Sequence, residues 1–273
     1  MCEHPIMNNG RLIQQEHKRA EAYESELKLD KDQDSGLVYL TPDNAAKIEA
    51  RIHLNPRYKK TVDDSNEKST KFIIRQLKEG KLLYNKDNIE EIIKRINSEN
   101  STRMSKDEMG EIAGRIIKSA STKDILMKML KEKDYSLIDE IAKPINTTTK
   151  DKKKERNRSN FSFATKFCHY MCFYLFEGED WQDNYSIYDN IVINVLPDYI
   201  NNRKSQDILL PFNKDKDIPP SKYYKKYQDL IGDILKENGN RISRNAFDHI
   251  MWYYTKTRKS VESADSNSNQ RNE

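Results

Sequence analysis

Between Phe163 and Phe176 the chain reads FATKFCHYMCFYLF, a helical stretch whose apolar residues leave no continuous polar stripe. A helix at the surface of a globular protein shows one wet face, so one without it must be surrounded. The rest of the chain has to supply enough other elements to wrap it. The one Asp, Glu, Lys or Arg inside the stretch is Lys166. An ammonium near the start of a helix meets the positive end of the dipole, and burying it without a partner is costly. Lys166 therefore asks for a counter-charge, a function or both.

The wrapping is legible as a succession of short helices. TPDNAAKIEARIHL opens at Thr41 with Pro42 at the first helical position. STKFIIRQLKEGKLL places Phe72, Ile73 and Leu77 at helical spacing and meets Gly80; NKDNIEEIIKRINSE repeats the pattern through Ile89, Ile92, Ile93 and Ile96. SKDEMGEIAGRIIKSA, STKDILMKMLKEK and DYSLIDEIAKPI each open on a Ser, Thr or Asp of capping type, and Pro144 closes the series. The apolar stretch follows, then a loop around EGEDWQDN, a helix beginning near Asp189, and two last helices in SKYYKKYQDLIGDILKEN and SRNAFDHIMWYYTKT. No strand pattern of any length emerges. The expected fold is all-α, with a flexible arm over 1–35, an N-terminal helical lobe over 36–145, a second lobe over 146–259 holding Lys166, a cleft between the lobes, and a disordered tail over 260–273.

Composition excludes several classes. With 36% hydrophobic and 34% charged residues and only 8 Gly among 273, the chain reads as a charged, helix-rich protein. No apolar run approaches the roughly 20 residues needed to cross a bilayer, and the N-terminus lacks a signal-peptide core, so no membrane partner and a cytoplasmic location are expected. Cys168 and Cys172 lie on the buried helix with Cys2 alone at the terminus, which argues against a disulfide scaffold. CHYMC has no second Cys/His cluster to complete a metal site, and no metal or cofactor is expected. A net charge of +4 is too modest to imply nucleic acid by itself. Its distribution says more: KDKKKERNR sets Lys150, Lys152, Lys153, Lys154, Arg156 and Arg158 against Asp151 and Glu155, directly before the apolar helix. This run is either a solvated linker or a phosphate-binding stretch.

The order of basic approach, Thr165-Lys166, apolar helix and Tyr188-Asp189 resembles the helix-hairpin-helix DNA glycosylase superfamily, especially its 8-oxoguanine glycosylase branch. In that family a hairpin of the form Gly-apolar-Gly-Thr-Lys leads into a helix bearing the nucleophilic lysine, and an aspartate follows at the start of the next helix. SFATK falls on that hairpin. The resemblance thereby implies Lys166 as nucleophile and Asp189, 23 positions on, as the catalytic carboxylate. It covers about residues 145–200. The two hairpin glycines are Ser162 and Ala164 here, no four-cysteine iron–sulfur loop follows, and EGEDWQDN lengthens the loop before Asp189. DNA contacts are expected from Lys152, Lys153, Lys154, Arg156, Arg158, Ser162 and Thr165. Tyr170, one turn beyond Lys166, and Asn245, Asp248, His249 and Trp252 of the terminal helix would line the pocket for an extruded base.

The chemistry fits the oddity of the helix. Breaking an N-glycosidic bond develops positive charge on the sugar, which a fixed carboxylate stabilises where water is excluded. An amine attacks only when neutral, a state that burial and the positive end of a helix favour. The expected activity is a DNA glycosylase with lyase activity, acting as a monomer on double-stranded DNA. Its target is a hypermodified base of phage DNA, in antiviral defence, or an oxidised purine, in base-excision repair. The competing class is a non-catalytic helical DNA-binding module.

Overall fold

The computed structural model describes residues 27–54, 66–100, 102–147, 156–158, 160–200 and 218–255. The helices are α1 (Pro42–Leu54), α2 (Thr70–Lys78), α3 (Lys86–Asn100), α4 (Lys106–Ser119), α5 (Lys123–Lys131), α6 (Ser136–Ala142), α7 (Phe161–Leu175), α8 (Asn190–Tyr199), α9 (Pro220–Glu237) and α10 (244–255), with a 3₁₀ turn at Asp180–Asp183. Among the described residues the regular structure is helical apart from one antiparallel ladder, β1 (Ile145–Thr147) with β2 (Arg156–Arg158), in which Ile145 faces Arg158, and an isolated bridge between Lys31 and Val38. Three residues are too few for a period-two pattern to register, so the ladder leaves no trace in the sequence. Among the described residues no helix is long and apolar enough to cross a membrane.

Local chemistry sets most helix starts. The Thr41 hydroxyl accepts the Asn44 N–H at 3.2 Å, the Ser69 hydroxyl the Phe72 N–H at 3.1 Å, and the Thr122 hydroxyl the Ile125 N–H at 3.2 Å. Ser105 and Glu108 form a reciprocal capping box at α4, with Glu108 Oε2 accepting the Ser105 N–H at 2.6 Å. Gly80, at a φ of +73°, carries the chain out of α2.

Burial then decides the packing. One connected apolar core runs from Val38 to Tyr254, and α7 stands inside it, contacting α2, α3, α5, α6 and the 3₁₀ turn. Phe167, Cys168, Met171, Cys172 and Leu175 are wholly buried, as a helix without a polar stripe requires. Residues 27–35, expected in a flexible arm, belong instead to a turn packed on this core. The Asn44 amide bridges the carbonyls of Asp30 and Tyr39 at 2.7 and 2.9 Å, and the Tyr199 hydroxyl donates to Val38 O at 3.0 Å. Residues 1–26 and the tail over 260–273 lie outside the described residues.

Candidate functional site

SFATK is not a hairpin. Residues Ser162 to Lys166 are already helical, with the Ala164 N–H donating to Asn160 O at 2.8 Å, because without glycine nothing diverts the backbone from α geometry. Lys166 consequently sits in the second turn of α7 rather than the first. It is 8% exposed, and its Nζ lies 2.9 Å from Asp189 Oδ2.

Asp189 is the N-cap of α8. Its Oδ1 accepts the N–H groups of Ile191 and Val192 at 2.9 and 3.3 Å, leaving Oδ2 for the lysine. The carboxylate is thus fixed by the positive end of a helix on one side and an ammonium on the other. The counter-charge demanded by the apolar helix is Asp189.

A third ionisable group joins the pair. Asp248, on α10, is partly covered, and burial first, then the negative charge of Asp189, raises its carboxyl to about 8, against the opposing pull of the Lys166 ammonium. Both causes favour the protonated carboxyl, which can donate a hydrogen bond as an ionised carboxylate cannot. Tyr170 lies beside these groups, one turn along α7. Its hydroxyl donates to Asn100 Oδ1 at 3.1 Å, its ring stacks on Tyr174 at 6.1 Å, and burial raises its phenol strongly, with smaller contributions from the Tyr174, Asp248 and Glu99 charges. Lys166, Asp189, Tyr170 and Asp248 therefore come together, with Glu99 and Asn100 at the end of α3 as neighbours that the sequence did not reveal.

Other expected site residues are differently placed. Thr165 is fully buried, and its hydroxyl accepts the Tyr188 N–H at 3.1 Å, so it is an internal tie rather than a phosphate contact. Asn245 is 8% exposed and its N–H reaches Asp183 Oδ1 at 2.9 Å, so it sits in the interior. Burial lowers the His169 imidazole, which stays neutral with Nδ1 at 2.7 Å from Tyr185 O. Ser162, His249 and Trp252 are half-buried. Arg156 and Arg158 contribute the backbone of β2, while Lys152, Lys153 and Lys154 lie outside the described residues.

The EGEDWQDN loop is a clamp. Asp183 accepts the N–H groups of both Arg244 and Asn245 and so caps α10, although the two residues are 61 and 62 positions away. The neighbouring Asn184 amide donates to the carbonyls of Leu130 and Lys131 at 3.3 and 3.0 Å, satisfying the end of α5. The Lys131 ammonium lies 4.1 Å from the Trp181 ring centroid. Among the described residues no three His, Cys, Asp or Glu side chains gather as they would to hold a metal ion.

A family model described as HI_0787_N, N-terminal domain, matches residues 53–175, less than half of the chain. Its span ends with α7, so it includes Lys166 and stops before Asp189 and α10. No curated protein and no solved structure matches the chain.

Proposed function

We propose that the protein is a DNA N-glycosylase with lyase activity. The observation that carries the reading is the 2.9 Å contact between Lys166 Nζ and Asp189 Oδ2, with both side chains largely withdrawn from water at 10% and 18% exposure. An amine and a fixed carboxylate in such a setting suit attack on an anomeric carbon. The Lys166 ammonium gives up one proton, which ends on the departing base, and the neutral Nζ bonds to C1′ of the flipped nucleotide as the glycosidic C–N bond breaks. The base leaves with the electron pair and takes up that proton, while Asp189 stabilises the charge developing on the sugar. Nζ loses its extra proton, the sugar ring opens to an imine, and loss of a C2′ proton expels the 3′ phosphate by β-elimination. Tyr170, Asp248 and Trp252 are proposed to face the extruded base. The basic run before α7 would meet phosphates across a cleft between the two helical lobes.

The proposed target is a modified base in foreign phage DNA, with an oxidised purine as the repair alternative. The EGEDWQDN loop ties α5 and α10 together and so does not enlarge the space before Asp189. Incubation with phage DNAs of differing modification and with oxidised duplexes, followed by mass spectrometry of released bases, separates the two roles. The chemistry itself is tested by borohydride. Wild-type protein should be trapped covalently on its substrate DNA, and Lys166→Ala should bind without trapping. Equal trapping by Lys166→Ala would assign the chemistry to another amine, and DNA binding by a wild type that neither traps nor releases any base would leave a non-catalytic binding module.

A further inference from the structure

The segment Tyr185–Tyr188 leads directly into Asp189 and belongs to no strand ladder, yet all four residues are buried. Buried backbone carbonyls outside a ladder must find donors elsewhere. Here every one has a side-chain partner. His169 Nδ1 meets Tyr185 O at 2.7 Å, the Tyr224 hydroxyl donates to Ser186 O at 2.6 Å, and the Tyr227 hydroxyl donates to Ile187 O at 2.7 Å. Thr165 Oγ1 lies 3.3 Å from Tyr188 O and 3.0 Å from Ser162 O, with one proton to offer, and it accepts the Tyr188 N–H at 3.1 Å.

The donors come from two helices, Thr165 and His169 one turn apart on α7, and Tyr224 and Tyr227 on α9. Burial holds both phenols far above their usual range, so they remain donors at any physiological pH. Thr165 adjoins Lys166 in the chain and Tyr188 adjoins Asp189, so a single hydroxyl joins the backbone neighbours of both partners. Tyr227 fixes the carbonyl one residue further back.

Resting on the glycosylase reading for its consequence in catalysis, we infer that Thr165 and Tyr227 are positioning residues, holding the segment so that the Asp189 carboxylate meets Lys166. The hydroxyls do not touch the reacting atoms. Their effect passes through the placement of Asp189, and this separates them from residues that only support the fold.

A double-mutant cycle makes that distinction. Thr165→Val and Tyr227→Phe each delete one hydroxyl with little change of shape. Each should slow single-turnover base release by roughly ten- to a hundredfold, the scale of a small misplacement of a reacting group, and Thr165→Ser should restore most of the rate. Combined with Asp189→Asn, neither should add a further loss. A second readout needs no DNA: reaction of Lys166 with pyridoxal phosphate, fixed by borohydride and located by mass spectrometry. Thr165→Val and Tyr227→Phe should change that labelling in the same direction as Asp189→Asn, again without adding to it. Losses that multiply with Asp189→Asn, or labelling of Lys166 unchanged in Tyr227→Phe, would overturn the inference. If the wild type neither releases a base nor traps on DNA, the glycosylase reading fails alone, and the labelling cycle still decides whether the bracket sets the pair. Should Thr165→Val not fold, Tyr227→Phe and Thr165→Ser decide it.

Discussion

Asp189 performs two tasks that substitution can separate. Oδ1 caps α8 through two N–H groups, and Oδ2 meets Lys166 at 2.9 Å. Asparagine retains a capping oxygen and is among the best N-cap residues, so Asp189→Asn removes the charge while sparing the cap. It leaves an ammonium of 10% side-chain exposure facing an amide. Breaking a buried pair by deleting one partner costs about 3–5 kcal/mol, and the residual solvent access of both side chains places Asp189→Asn near the lower end. Asp189→Ala also loses the cap, adding about 1 kcal/mol. Removing both charges together, in Lys166→Met with Asp189→Asn, should recover most of the loss, because the stranded ammonium is then absent. Denaturant unfolding near neutral pH measures the series, with an unchanged slope confirming that only stability has moved. An Asp189→Asn protein within about 0.5 kcal/mol of wild type, the range of an ordinary surface change, would refute the claim that the pair is buried and mutually dependent.

Asp248 predicts a pH effect of defined sign. Its carboxyl lies at about 8 in the folded protein against a reference of 3.8, so its contribution to stability is complete below about 3.8 and is lost as pH rises through about 8. At about 1.4 kcal/mol per pH step the full displacement sets a ceiling of roughly 6 kcal/mol, which partial solvent access reduces to about 2 kcal/mol. Asp248→Asn should therefore gain on wild type by about 1.5 kcal/mol between pH 5 and pH 9 in thermal or denaturant unfolding; parallel profiles would show Asp248 to be an ordinary surface carboxylate. Neutralising Lys152, Lys153 and Lys154 should weaken DNA binding whatever the sequence and lower the slope of log affinity against log salt by up to about three. An unchanged slope identifies the run as a solvated linker.

The sequence by itself determined the helices and the anomaly among them. Pro42, the Ser105–Glu108 capping box and the Asp189 cap act through neighbours two to four residues away, so their signatures are local and readable. The missing polar stripe of α7 likewise required a surrounded helix, and Lys166 within it required a counter-charge. Tertiary structure alone decided how these parts meet. That Asp183 caps a helix some sixty residues on, and that Tyr224 and Tyr227 hold the carbonyls before Asp189, follow from contacts with no periodicity in the chain. The same holds for Asp248, whose carboxyl is raised only because folding removes it from water beside a second carboxylate. A cap is set by the few residues around it; a buried charge or an unladdered carbonyl is set by whatever distant side chain the packed core brings within hydrogen-bond distance.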